Sequence, residues 1–171
     1  LEFRQEDLEA SNSHLELLLR SDALTGIANR RCFDQAFADE FRRAERGSYP
    51  LAMLMLDVDC FKQYNDSYGH QAGDDTLVQV AQAVERFARR PGDLAARYGG
   101  EEFALILPGS SEEDAQGIAN ELVAYMYARN LPHGTSRVGD RITLSIGVAE
   151  IQPASGNTSV AELIANADQA L

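Results

Sequence analysis

A chain of 171 residues, 44% hydrophobic and 25% charged, can bury one substantial core, so neither disulfides nor a structural metal is needed for folding. Its net charge of −12 repels polyanions and argues against a protein that tracks nucleic acid through a basic groove; a small anionic substrate stays open if metal ions meet its charge. No apolar run approaches the roughly 20 residues of a membrane-spanning helix, and Glu2, Glu6, Asp7, Glu9 and Glu16 interrupt the stretch where a signal peptide would be apolar. Cys32 and Cys60 lack the spacing of a zinc site or disulfide framework and read as free thiols. The expectation is a cytoplasmic segment with no membrane contact of its own, whatever tether the parent protein carries.

Leu1, Leu8 and Leu15 recur every seven residues with Leu18 at a d-type position, although Arg4 and Ser11 occupy other d-type positions. This predicts a helical lead-in over residues 1–20, which a short coiled coil or a simple helix would both satisfy. Ser21 or Asp22 punctuates the chain. A helix is expected from about Asn29, with Phe33, Ala36, Phe37 and Phe41 on its apolar face, until Gly47 and Pro50 stop it. The run Leu51–Leu56 is continuously apolar, as a central strand buried on both faces would be. A further helix fits Gly73 to Arg90, on Leu77, Val80, Ala81, Val84 and Phe87, and ends at Pro91-Gly92. Leu94–Tyr98 and Glu102–Leu107 flank Gly99-Gly100 like a hairpin with a two-residue connection. A helix over Glu112–Arg129, a strand over Ile142–Glu150 and a last helix near Val160 complete an α+β order, with helices flanking a mostly antiparallel sheet.

Chemistry gathers at two places. Asp57-Val58-Asp59 ends the buried strand, and strand alternation sends the two carboxylates to one side. Such a pair suits Mg²⁺, a hard cation with oxygen ligands, but it equally suits the cap of a following helix. Gly99-Gly100-Glu101-Glu102 places two more carboxylates after a turn without side chains, where a bulky anion could approach the backbone; solvated glutamates on an ordinary hairpin are the plainer reading. If the two strands pair, Asp57 and Glu101 can share a metal. A two-metal site there would polarise an α-phosphate and activate an attacking hydroxyl.

Arg97-Tyr98-Gly99-Gly100-Glu101-Glu102-Phe103 resembles the signature of the GGDEF domains, in its GGEEF form. Asp22-Ala23-Leu24-Thr25-Gly26-Ile27-Ala28-Asn29-Arg30-Arg31 is similar to the family's opening DxLTGLxNRR, with Ile27 in place of leucine. Asp57 to Asp66 resembles DxDxFKxxND, Tyr68 to Leu77 resembles YGHxxGDxxL, and Ser145 to Ala149 resembles the late SIGVA strand. Ala167-Asp168-Gln169-Ala170-Leu171 resembles the start of the closing ADxALYxAK, so the C-terminal end is expected to be truncated. The resemblance sets residues 21–171 as the catalytic domain after the lead-in.

The resemblance implies a nucleotidyl cyclase fold akin to the polymerase palm and the activity of a diguanylate cyclase. Two GTP would be condensed into cyclic di-GMP at a homodimer interface, with two Mg²⁺ or Mn²⁺ per active site. Asp57, the Val58 carbonyl, Glu101 and Glu102 would hold the metals. Glu101 would accept or orient the 3′-hydroxyl proton, and Lys62 would neutralise phosphate charge. Asn65 and Asp74 would read guanine, with Phe61, His70, Gly99 and Gly100 lining the nucleotide site. Arg90-Pro91-Gly92-Asp93 reads locally as a helix end and Pro-Gly turn, yet its spacing to Gly99 resembles the family's RxxD inhibitory site for the product. An Arg fork suits guanine O6 and N7, and a carboxylate suits the N1 and N2 edge. The alternative is a catalytically weak domain acting as a cyclic di-GMP or GTP receptor.

Overall fold

An unbroken apolar run leaves a strand no face for solvent, and the computed structural model, which describes residues 19–152 and 160–169, buries all of Leu51–Leu56. This run forms most of β1 (Leu51–Val58), which pairs antiparallel with β3 (Glu102–Pro108) on one side and β4 (Leu144–Ile151) on the other. The short β2 (Leu94–Arg97) pairs antiparallel outside β3, giving the order β2-β3-β1-β4. Around this sheet lie α1 (Arg30–Gly47), α2 (Phe61–Tyr68), α3 (His70–Phe87), α4 (Glu112–Arg129) and α5 (Val160–Gln169). The chain is thus α+β, with a four-stranded antiparallel sheet flanked by helices. The lead-in expected over residues 1–20 lies outside the described residues except for Leu19 and Arg20, which are helical.

Alternation along the strands divides the core in two. Ala52, Leu54, Leu56, Phe103, Leu105 and Leu107 face the apolar stripes of α3 and α4, including Leu77, Val80, Val84 and Leu122. Leu51, Met53, Met55, Ala104 and Ile106 face the other way, onto Phe33 and Phe37 of α1. Asn29 caps α1 by accepting from the Cys32 N–H at 2.9 Å. Ser111 and Asp114 form a reciprocal capping box at the start of α4. Cys32 and Cys60 are free and half-buried. Among the described residues no helix is long and apolar enough to cross a membrane.

Three boundaries differ from the sequence expectation, each for a local reason. The third helix runs from His70 to Phe87 rather than from Gly73 to Arg90. Its end is set by Asp93, whose Oδ2 accepts from the Arg89 and Arg90 N–H groups at 3.1 and 2.9 Å and draws them off the helix. The hairpin connection is longer than two residues, with β2 ending at Arg97 and β3 beginning at Glu102. The Tyr98 and Gly99 N–H groups both donate to the Glu102 carbonyl, at 2.8 and 3.2 Å. β4 begins at Leu144 rather than Ile142, because the Ile142 N–H donates to Leu131 O at 2.8 Å and so stays with the α4–β4 connection.

Candidate active site

The antiparallel pairing of β1 with β3 brings the end of the first to the start of the second, with Asp57 directly opposite Glu102. Like charges facing each other across a strand pair are unfavourable. The loop tightens the approach further, since the Val58 N–H donates to Glu101 O at 3.3 Å. Asp57 is half-buried, and its carboxylate accepts no hydrogen bond from the described residues. Burial, and then the charges of Glu101, Glu102 and Asp59, raise its carboxyl from the usual 3.8 to about 6. Asp59, by contrast, is spoken for: its two oxygens accept from the Thr143 and Ser145 hydroxyls, each at 2.6 Å. Of the two carboxylates that close β1, one is fixed to β4 and the other is left among negative neighbours.

The Gly-Gly turn is shaped by close approach. A Cβ at Gly99 would collide with Glu102 Oε2, so the carboxylate lies over the glycine backbone. From the other side Arg97 holds the turn, donating to Gly99 O at 3.2 Å and to Gly100 O at 3.1 and 2.7 Å. Its Nη1 reaches Asp22 Oδ1 and Oδ2 at 3.1 and 3.3 Å. Asp22 also accepts from the Thr25 N–H at 2.9 Å and hydroxyl at 2.8 Å. Burial alone would raise the Asp22 carboxyl; Thr25 and Arg97 outweigh it and hold the group below the usual value.

Next to the carboxylates, Cys60 turns the chain into α2. Phe61 is buried, Lys62 is exposed, and Asn65 is half-buried with Oδ1 sealed from solvent and without a hydrogen-bond partner. That oxygen faces Gly73 of α3, where a Cβ would strike it and would stand 3.2 Å from Phe61 Cζ. His70 and Asp74 lie exposed on the first turns of α3, which packs on α2. Asp57, Val58, Glu101 and Glu102 are therefore one cluster, while Lys62, Asn65, His70 and Asp74 occupy the adjoining α2–α3 corner.

Arg90 and Asp93 belong elsewhere, at the opposite end of β2 from the Gly-Gly turn. The Asp93 side chain is 2% exposed and committed to its turn, with Oδ1 3.7 Å from Arg90 Nη2. Arg90, half-exposed, also donates to Pro108 O at 3.4 Å and to the Ser110 hydroxyl. A concavity of about 980 Å³ lies on yet another side, lined by Leu19, Arg20, Arg30 and the start of α1. It holds no carboxylate of the cluster, so the chemistry and not the volume identifies the site.

Sequence reasoning gave no role to Arg97, Asp22 or Thr143. Arg97 and Asp22 stood inside recognised motifs, but their pairing joins distant parts of the chain that no local period connects. The hydroxyls that fix Asp59 became visible only with the β1–β4 register.

The family profile described as "Diguanylate cyclase, GGDEF domain" matches residues 19–171. The chain is 37% identical over 164 residues to the bifunctional diguanylate cyclase/cyclic di-GMP phosphodiesterase MucR of Pseudomonas aeruginosa, covering 96% of this chain and 23% of that protein. It is 38% identical over 160 residues to the diguanylate cyclase DgcM of Escherichia coli, covering 92% of this chain and 36% of that one. It thus spans well under half the length of these relatives. Its structure is similar to the coiled coil and GGDEF domain of DgcB from Caulobacter crescentus in complex with c-di-GMP, with a TM-score of 0.82 at 32% identity over 98% of this chain and 88% of that one. The diguanylate cyclase SiaD of Pseudomonas aeruginosa, in complex with its activator SiaC, gives 0.77 at 34% identity over 99% and 63%. By this profile match and these relatives, and with its Gly-Gly loop seated against the end of the central strand, the chain belongs to the GGDEF family of diguanylate cyclase domains.

Proposed function

We propose that residues 21–171 are the catalytic domain of a diguanylate cyclase. Two GTP are condensed into cyclic di-GMP: each 3′-oxygen bonds to the other nucleotide's α-phosphorus, each α–β bridge bond breaks, and two pyrophosphates leave with the hydroxyl protons passed to bases. The observation that carries this reading is the crowding of Asp57, Glu101 and Glu102, which leaves negative charge uncompensated beside a glycine turn.

That donor set fits a divalent cation. Among the described residues no three His, Cys, Asp or Glu side chains form a ready metal cage. The carboxylates of Asp57, Glu101 and Glu102 and the Val58 carbonyl suit Mg²⁺ or Mn²⁺, because Mg²⁺ keeps waters and is commonly completed by substrate phosphates. Two such ions would supply Lewis-acid stabilisation of the α-phosphate and a more acidic hydroxyl. The chain's own groups do the rest. Glu101 orients the 3′-hydroxyl or takes its proton, Lys62 offsets charge on the phosphates, and Gly99 and Gly100 let the nucleotide lie close to the backbone. Asn65 offers an unused buried acceptor, and with Asp74 it reads the N1 and N2 edge of guanine, beside Phe61 and His70. Because two nucleotides must meet face to face, one active site is assembled from two copies of the chain.

Feedback by the product at Arg90 and Asp93 belongs to the same reading, supported by the half-exposed Arg90 guanidinium beside Asp93. Cytoplasmic placement also follows from it, since GTP is the substrate. Incubating the purified chain with GTP and Mg²⁺ and separating the nucleotides tests the proposal: cyclic di-GMP should accumulate. GTP or cyclic di-GMP bound without turnover would replace the enzyme with a receptor.

A further inference from the structure

His133 is fully buried in the α4–β4 connection, outside every motif discussed above. Its ring packs edge-on against Tyr64 and Tyr68 of α2, with centroids 5.1 and 6.4 Å away. Nε2 lies 3.0 Å from the Cys60 carbonyl. A carbonyl only accepts, so Nε2 carries a proton, while Nδ1 is buried without a hydrogen-bond partner among the described residues. An apolar ring of similar size would avoid that unsatisfied nitrogen. What the histidine adds is its bond to Cys60.

That bond lands on a strained point. Cys60 has φ 56° and ψ 31°, a left-handed conformation unfavourable for a residue with a Cβ, and as the N-cap of α2 it gives no side-chain hydrogen bond. Its carbonyl accepts twice, from the Tyr64 N–H at 3.1 Å and from His133. Two donors on one oxygen over-determine the conformation. The rest of the connection grips the far end of the same helix: the Gly134 N–H donates to the Tyr68 hydroxyl at 2.9 Å, and the Thr135 and Ser67 hydroxyls are 2.9 Å apart. The connection is itself closed by His133 N–H to Asp140 O at 2.8 Å. It forms a bracket around α2, fixed at both ends.

We infer that His133 is a positioning residue for nucleotide binding: its hydrogen bond to Cys60 holds the chain reversal that sets α2, with Lys62 and Asn65, against Asp57, Val58 and Glu101. The inference rests on the nucleotide reading of the site and adds a residue that touches neither substrate nor metal. It is tested with two variants of the full chain. His133→Phe keeps a ring and removes the donor, whereas the amide nitrogen of His133→Gln can reach the position of Nε2. GTP affinity with Mg²⁺ is measured by calorimetric titration, the fold by thermal unfolding, and α2 by amide exchange at Phe61, Lys62, Gln63 and Tyr64. His133→Phe should weaken GTP binding about tenfold and quicken exchange at these amides while the protein still unfolds cooperatively, and His133→Gln should recover most of both. Parent-like GTP affinity and exchange in His133→Phe would overturn the inference, as would equal losses in the two variants. If the parent itself binds no GTP, the nucleotide reading fails and the inferred role in binding fails with it; selective quickening in His133→Phe would then leave only a structural bracket.

Discussion

At the scale of single residues, the cluster at the end of β1 is a place where folding works against ionisation. With its pKa raised to about 6, Asp57 binds a proton more tightly in the folded state than in the unfolded chain. Its stabilising contribution is therefore complete below the unfolded value near 3.8 and is lost as pH rises through about 6. Metal-free Asp57→Asn, which cannot ionise there, should be more stable than the parent at about pH 7.5, by an amount on the order of 1 kcal/mol once solvent screening of a half-buried group is allowed for. The gap should shrink toward about pH 4.5, and saturating Mg²⁺ should reverse it; thermal unfolding in chelator and in Mg²⁺ checks both, and a gap independent of pH would remove the explanation. Glu101→Ala takes away another member of the same repulsive group. It should fold as well as the parent or better, yet lose turnover on the order of 100-fold or more, as removal of the proposed proton acceptor and metal ligand would. Product formation per folded molecule is the measurement. The carboxylates themselves were legible in the sequence because they adjoin an apolar run and a Gly-Gly pair. The resemblance set Asp57 apart from Asp59, but what ties Asp59 down was not legible, since the Thr143 and Ser145 hydroxyls reach it only through the β1–β4 register.

At the scale of elements, the apolar periods of α1 and α3 and the unbroken run of β1 were legible, because burial on a given face needs only the sequence spacing. Ends were less so. The third helix stops where a carboxylate from beyond its end captures two N–H groups, and the Gly-Gly loop is wider than its glycines suggest because it wraps a guanidinium. The link from Arg97 to Asp22 joins the start of the domain to the signature loop, and both side chains are about four-fifths buried. Such charge-assisted bonds should couple by about 1–2 kcal/mol in a double-mutant cycle of Arg97→Ala with Asp22→Ala, read from chemical denaturation. Strictly additive losses would mean that the two ends of this link act independently. Turnover of Arg97→Ala should fall further than its stability accounts for, since the carbonyls of Gly99 and Gly100 lose their common donor.

For the whole molecule, the proposed chemistry makes activity a property of pairs. Specific activity should fall on dilution below the dimer dissociation constant, and a constant value there would rule out a site built from two copies. The sheet order carries a consequence for how the chain is made. Among the described residues β1, whose apolar run is buried on both faces, pairs with β3 and β4, both of which follow it in the chain. A ribosome adding about 5–20 residues per second needs roughly 4–17 s to pass from Val58 to Leu144. Until then this continuously apolar run has at least one open edge, a template for pairing with another nascent chain. Synthesis rate, and whatever shields the emerging polypeptide, therefore bear on the yield of native protein separately from the stability of the finished fold.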